Sequence, residues 1–501
     1  MQQTFALETL KIRLNEAELQ PLDLHLRIQR ALRALVLDGA LGPGAKLPAT
    51  RALSRSLGVA RDTVENAYVQ LHRDGFIVRR AGSGSYVSEV IGAELRGAHH
   101  RRSQRQVQPD HAPELNLSRR GRMLLDSGGI ADSRIIKAFA TGLPETRTFP
   151  TAVWERLQRR VSKDYRSHVL LHGDPQGAEP LRRAIATYLN LERGAKASPE
   201  QILVLSSARQ ALFLCAQLLA DAGKPMLLEN PGYLGARRAF EAAETKVVPI
   251  DIDAHGIRTD LLRNDQSGAH CVYVTPSHQY PTGTTLSLER RLDLINWAQE
   301  RHKWIIEDDY DSEFHYEGLP TACVQGLDKY QRTIYLGTFS KTLYPGLRMG
   351  YMVLPPALVT AFTRARSIMD GHTPQIPQLT LARFMEDGHY NAHIRVMRKL
   401  YASRREILLE SIDKHLGGIV TALRPEGGLQ IPCLLKPGWS EENTLRQAAI
   451  AGIQLSGLSQ FYASEEKQQG WLLGYSALSA YEIESAVLRL SKALKKKPRT
   501  A

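Results

Sequence analysis

One lysine, Lys341, stands in the run Thr338-Phe-Ser-Lys-Thr-Leu-Tyr-Pro-Gly-Leu-Arg-Met-Gly-Tyr351, one residue after Ser340 and seven before Arg348. A lysine amine condenses with an aldehyde to a Schiff base, and a hydroxyl and a guanidinium nearby can meet a phosphate dianion. The set suits a phosphate-bearing aldehyde cofactor with Lys341 as its covalent anchor. Upstream, Trp304-Ile-Ile-Glu-Asp-Asp-Tyr310 is an apolar run ending in carboxylates. A buried carboxylate there would keep a pyridine nitrogen protonated, the condition under which a pyridoxal ring withdraws electrons. Asp308 is the first candidate for that partner and Asp309 the second.

These residues need strands to hold them. Thr333-Ile-Tyr-Leu-Gly337 has the β-branched and aromatic character of a buried strand, which puts Lys341 just past its C-terminal end, where ligands of open α/β sheets collect. His270–Thr275, Gln201–Leu205 and the run from Leu227 read as further strands. The second of these leads through Ser206-Ser-Ala-Arg-Gln210 into a helical pattern over 211–222. Small residues at a helix start leave backbone N–H groups free for phosphate, which nominates Ser207 and Ala208. Leu227-Leu-Glu-Asn-Pro-Gly-Tyr233 offers Tyr233 as an aromatic able to stack on a planar ring. Taken singly, each residue has an ordinary reading as a cap, a turn or core; their shared place after successive strands singles them out.

Ser-Lys-Thr-Leu-Tyr-Pro-Gly-Leu-Arg, Glu-Asp-Asp-Tyr-Asp, Thr-Pro-Ser-His-Gln-Tyr-Pro-Thr-Gly and Asn-Pro-Gly-Tyr together make 135–494 resemble a fold-type I aminotransferase. The form is that fused to DNA-binding domains in MocR-type regulators of the GntR superfamily. The resemblance implies pyridoxal 5'-phosphate as cofactor, with Lys341 forming its Schiff base, Asp308 facing the ring nitrogen and Tyr310 near the phenolic oxygen. It further implies Tyr233 stacked on the ring, Ser340 and Arg348 on the phosphate, and a homodimer. Enzymes of this fold commonly hold a substrate carboxylate with a C-terminal arginine, yet none occurs between Arg446 and Arg489. Gln460 and Tyr462 lie where one is sought, with Arg424 as a substitute. His172 stands where many relatives carry tyrosine, and Ser207 where they often have glycine, with Arg209 two positions on.

The front of the chain reads differently. Leu22, Leu26, Ile28, Leu32, Leu35 and Val36 have helical spacing; a second helix opens at Leu47-Pro-Ala-Thr-Arg51 and ends at Leu57-Gly58, and a third follows at once from Val59. So tight a turn is a helix-turn-helix signature, and 76–87 alternates around a glycine-rich tip as a two-stranded wing would. This resembles the GntR-type winged helix-turn-helix. The resemblance implies that the third helix enters the major groove of double-stranded DNA. Arg61 and Thr63 are candidates for base or phosphate contacts, and Lys46, Arg51 and Gly84 for positioning on the backbone. Glu65 stands where some relatives are basic.

The expected fold is thus an N-terminal winged helix-turn-helix, mainly α with a small β wing, over 20–88. An α/β fold-type I aminotransferase-like domain over 135–494 follows, with a flexible basic linker at 89–134 and a basic tail at 495–501. A linker of that length spans about 35 Å, and one turn of DNA about 34 Å, so paired modules could reach adjacent half-sites. The 501 residues have room for several domains, 43% hydrophobic content supports ordinary cores, and a net charge of +13 favours a polyanion partner. Cys215, Cys271, Cys323 and Cys433 are scattered without a Cys-x-x-Cys pair, which argues against a zinc site and for a reducing compartment. Absence of a leader-like start or an 18-residue apolar stretch makes the cytoplasm the expected location. Two functions remain open: a regulator that senses an amine, an amino acid or the cofactor itself, and an active aminotransferase with an accessory DNA-binding domain.

Overall fold

Among the described residues, the N-terminal unit contains the helices α1 (Leu7–Leu14), α2 (Leu24–Leu37), α3 (Thr50–Leu57) and α4 (Arg61–Arg73) and a hairpin of β1 (Ile77–Arg80) and β2 (Gly84–Val87). The computed structural model of the chain describes residues 7–90, 116–126, 137–317 and 321–495, which fall into two units divided at Asn116. In the first unit, α2 turns Ile28, Ala31, Leu32, Leu35 and Val36 inward, the stripe that a 3.6-residue period puts on one face. They meet Leu53 of α3 and Val64, Ala67, Tyr68 and Leu71 of α4 in one core, which Leu10 of α1 also joins. Helix α1 was not foreseen, because a two-turn helix leaves little periodicity to read.

Gly58 ends α3 in the left-handed conformation, with φ of 67°. Val59 then packs at the edge of the core and its N–H donates to the Ser54 carbonyl, while Ala60 is extended. The third helix therefore begins at Arg61 and not at Val59. The wing is antiparallel, pairing Ile77 with Val87 and Arg80 with Gly84.

In the second unit the main sheet contains β3 (Ile202–Leu205), β4 (Pro225–Asn230), β5 (Lys246–Asp253), β6 (Gly256–Ile257), β7 (Cys271–Val274), β8 (Trp304–Asp309), β9 (Thr333–Thr338) and β10 (Gly350–Val353). Its order is β3-β10-β9-β8-β7-β4-β5-β6. Neighbours from β9 through β5 are parallel, and β10 is antiparallel to both β3 and β9. Consequently β3, β4, β7, β8 and β9 all end on the same edge. Their wholly buried residues, such as Cys271–Val274, are what a sheet covered on both faces requires. A second, antiparallel sheet, β11 (Val420–Ala422), β12 (Gln430–Leu435), β13 (Ser456–Gly457) and β14 (Gly470–Gly474), has the order β11-β12-β14-β13. Within the stretch assigned to the linker, Arg119–Asp126 is helical, and Arg119 and Arg120 both donate to the Glu244 carboxylate. Residues 91–115, 127–136 and the tail from 496 lie outside the described residues.

No neighbouring atom would meet a Cβ at Gly58, so its requirement for glycine is purely conformational. Gly58→Ala should therefore cost about 1–2 kcal/mol, the penalty of a left-handed L-residue. Native-state hydrogen exchange of the α2–α4 amides in the full chain reads that loss directly.

Candidate cofactor site and DNA-binding face

Lys341 lies three residues beyond β9, on the edge where the parallel strands end. Its Nζ donates to the Gly142 carbonyl at 2.6 Å. Gly142 has φ of 70°, and a Cβ there would stand 2.6 Å from Nζ, so only glycine both turns the chain and leaves the amine room. Burial pushes the Lys341 amine below its usual range, and Arg209 adds to this, while Asp311 and Asp308 oppose it. An amine moved towards neutrality is the form that attacks a carbonyl.

Strand β8 sorts its acids by the two-residue period of a strand. Glu307 accepts from the backbone N–H groups of Val324 and Gln325. Asp309, on the same face, accepts from Arg193 Nε at 2.9 Å and from the Tyr335 hydroxyl at 2.6 Å. Burial pushes Asp309 up, but the Arg193 guanidinium and these hydrogen bonds hold it below the ordinary carboxylate range. Asp308 faces the other way. Its Oδ2 accepts from the Tyr273 hydroxyl at 2.7 Å, and its Oδ1 is buried with no hydrogen-bond donor. Burial raises Asp308 to about 6, against the Tyr273 hydrogen bond and with help from Asp309 and Asp311.

Tyr310 donates to the His278 carbonyl at 3.0 Å, and burial raises its phenol well above the usual range. Tyr280 joins the aromatic wall, its ring edge-on to those of Tyr233 at 5.3 Å, Tyr310 at 5.9 Å and Phe461 at 5.3 Å. At the β3 end the helix begins at Ala208, three residues earlier than its sequence pattern, because Ser207 caps it by accepting from the Gln210 N–H. Among the described residues the N–H groups of Ala208 and Arg209, in the first turn of that helix, have no protein acceptor. Gly350 permits close approach there: a Cβ on it would be 3.4 Å from the Ala208 nitrogen. The Ser340 N–H donates to Thr338 Oγ1, and among the described residues its hydroxyl has no protein partner. Arg348 is exposed, in the left-handed conformation, and pairs with no acid among the described residues.

Other sequence candidates are engaged with partners of their own. Arg424 is exposed and paired with Asp413 at 2.7 Å. His172 packs edge-on to His372. The carbonyls of Gln460 and Tyr462 accept from Arg237, a residue that sequence reasoning passed over. Gly142, Arg193, Tyr273 and Tyr280 were also missed; only Tyr280 carried a signal, standing within a quoted motif.

In the N-terminal unit, Arg61 opens α4 and is exposed, as are Arg51 on α3 and Lys46, and Thr63 lies half-buried one residue beyond Asp62. Lys46 bridges to Tyr86 of the wing, and its side chain passes beside Gly84, where a Cβ would be 3.4 Å from Lys46 Cε. Glu65 pairs with Arg79 at 2.8 Å, tying α4 to β1. That pairing is a structural use for an acid on a helix otherwise suited to DNA.

Residues 24–87 match the family of bacterial regulatory proteins of the gntR type, and residues 139–471 match aminotransferase class I and II. The chain is 35% identical to the probable rhizopine catabolism regulatory protein MocR of Rhizobium meliloti, over 94% of this chain and 93% of that protein. It is 31% identical to the pyridoxine biosynthesis transcriptional regulator PdxR of Corynebacterium glutamicum, over 94% and 95%. Among solved structures, the α-aminoadipate aminotransferase LysN of Thermus thermophilus, complexed with N-(5'-phosphopyridoxyl)-L-leucine, superposes with a TM-score of 0.67. It is 28% identical and covers 75% of this chain and 95% of its own. The chain belongs to the MocR-type regulators of the GntR superfamily. It is a transcriptional regulator whose aminotransferase-like domain takes pyridoxal 5'-phosphate as cofactor.

The residues of this MocR-type chain fit that cofactor. The free Asp308 oxygen is an acceptor awaiting a buried donor, which a protonated ring nitrogen supplies, and the open N–H groups at Ala208 and Arg209 suit a phosphate. Without such a donor Asp308 costs stability. Its folded value near 6 exceeds the unfolded value near 3.9, so its contribution favours folding most below pH 4 and is lost as pH rises through 6. Asp308→Asn should therefore stabilise the cofactor-free protein by on the order of 2–3 kcal/mol at pH 7 and by progressively less towards pH 4. Thermal melts across that range test it, and a variant that melts lower at pH 7 contradicts it.

Proposed function

We propose that Lys341 is the covalent anchor of pyridoxal 5'-phosphate and Asp308 the partner of its ring nitrogen, with Tyr310 near the phenolic oxygen and Tyr233 against the ring face. Ser207, Ala208, Ser340 and Arg348 hold the phosphate. One observation carries this reading: a buried carboxylate oxygen without a donor shares a sheet edge with a desolvated lysine. When bound, the cofactor supplies an electrophilic carbon that captures primary amines. Around it, burial moves the amine of Lys341 towards its neutral form, the Tyr280 wall excludes water, and Asp308 would accept a hydrogen bond from the ring nitrogen.

The regulator responds to a small amine, an amino acid or the cofactor itself. Occupancy of the site shifts the chain between states of different DNA affinity, which needs only a few kcal/mol of differential binding. The DNA reader is the winged module at 20–88, with Arg61 and Thr63 at the groove and Lys46, Arg51 and Gly84 on the backbone. Residues 89–134 link it to the effector domain at 135–494, and 495–501 form a basic tail. The functional form is a cytoplasmic homodimer. Supporting this, the neighbours Leu170 and Leu171 are 79% and 66% exposed, apolar surface that a second copy would cover.

Lys341→Ala should abolish the borohydride-reducible adduct with pyridoxal 5'-phosphate while leaving far-ultraviolet circular dichroism unchanged. An adduct that persists, read by intact-protein mass spectrometry, contradicts the anchor. Arg61→Ala should weaken operator binding by about 1–3 kcal/mol if it contacts a base through two hydrogen bonds. Fluorescence anisotropy at fixed salt measures this, and unchanged affinity removes Arg61 from the interface.

A further inference from the structure

Helix α4 carries an acid on the side that its core-facing residues leave open. Val64, Ala67, Tyr68 and Leu71 turn inward, while Arg61 and Glu65, four residues apart, stand one above the other on the outer side. Glu65 Oε1 accepts from Arg79 Nη1 of β1 at 2.8 Å, and its Oε2 has no donor among the described residues. The two side chains are 36% and 33% exposed, so the pair lies open to a partner outside the protein.

Tying α4 to β1 does not account for this pair. The two elements are already joined where the Phe76 N–H donates to the Leu71 carbonyl, where His72 Nδ1 donates to the Ile77 carbonyl at 2.9 Å, and where Ile77 enters the core. An ion pair this exposed adds little to stability. Against that small gain, Arg79 Nε and Nη2 are buried with no acceptor among the described residues, so the guanidinium is drawn against the protein for one carboxylate. A contact that stabilises so little and leaves two donors unsatisfied points to a use outside the fold.

The chemistry of the pair says which use. An ionised carboxylate only accepts hydrogen bonds, and the phosphates that flank a DNA groove repel it. Arg79 offsets that charge and fixes the side chain, which leaves Oε2 in need of a donor. In the major groove guanine offers O6 and N7 and thymine O4, all of them acceptors, and adenine sets its N6 amino group beside the acceptor N7. Cytosine presents its N4 amino group with no acceptor next to it. Arg61, one turn earlier on the same side, has the opposite preference, for the acceptors of guanine or for phosphate.

We infer that Glu65 is a specificity-determining residue whose Oε2 accepts a hydrogen bond from cytosine N4 in the major groove, with Arg79 as the positioning residue that aims it. The inference rests on α4 entering that groove, as proposed above. Much of the selectivity is repulsive, because a site with guanine or thymine in that place sets acceptors against a carboxylate.

Binding-site selection from a randomised duplex library, with the full chain saturated with pyridoxal 5'-phosphate, reads base preference position by position. The wild type should select a cytosine in each half-site by roughly tenfold or more over guanine or thymine. Glu65→Ala should lose the preference at that position and keep it elsewhere, which a general loosening of the module would not do. Glu65→Gln should move the preference to adenine, whose N6 and N7 match an amide, and it decides the matter should Glu65→Ala not fold. Arg79→Gln should weaken the same preference, and a preference undiminished there overturns the positioning role. A wild-type motif without such a cytosine, or one unchanged in folded Glu65 variants, overturns the inference. If Arg61→Ala alters the motif in that case, the groove reading stands without Glu65; if it too leaves the motif unchanged, the groove reading falls as well.

Discussion

The effector site depends on an unmade hydrogen bond. Burying a carboxylate without a full set of donors is costly, and a chain selected only for stability would replace it or pair it. Strand β8 does the second for Asp309, whose Oδ2 takes the Arg193 guanidinium and the Tyr335 hydroxyl while its Oδ1 has no donor, and for Glu307, which takes two backbone donors. Asp308, between them, receives one hydroxyl and leaves its other oxygen bare. The contrast between these neighbours is one of charge: Asp309 has a guanidinium against it, whereas Asp308 is met by a neutral hydroxyl alone.

Around Asp308 the other groups follow the same logic. Gly142 accepts from the lysine at a distance that no side chain would permit, and Gly350 lets the start of β10 approach the N-terminus of the helix Ala208–Leu219. Glycine at such places trades local stability for access. The aromatic wall centred on Tyr280 then encloses the site from the β4, β7 and C-terminal sides. Lys341 is desolvated by the same enclosure that desolvates Asp308, so two groups with opposite charge preferences are both moved towards neutrality.

Much of this was legible in the sequence. The strands before Lys341, Asp308 and Tyr233 announced themselves as short apolar runs, and the winged module by helical spacing, Gly58 and the glycine-rich tip. Less visible were contacts made across long separations: Arg193 reaches Asp309 from 116 residues away, and Tyr273 meets Asp308 from the neighbouring strand. Local patterns carry no information about such pairs. Boundaries also moved where capping outweighed periodicity, as with Ser207, which starts its helix at Ala208, and with Val59, held by the core so that α4 starts at Arg61. The helix at Arg119–Asp126 escaped notice in a short polar stretch, and its contacts with Glu244 come from a partner more than a hundred residues distant.

The central claim is that Asp308 completes its hydrogen bonding with a protonated pyridine nitrogen. Nitrogen-15 NMR of the full chain reconstituted with ring-labelled pyridoxal 5'-phosphate measures that proton directly. The account predicts a pyridinium signal in the wild-type protein at pH 8 that becomes a neutral pyridine signal in Asp308→Asn. A neutral pyridine signal in the wild-type protein at pH 7 would contradict it.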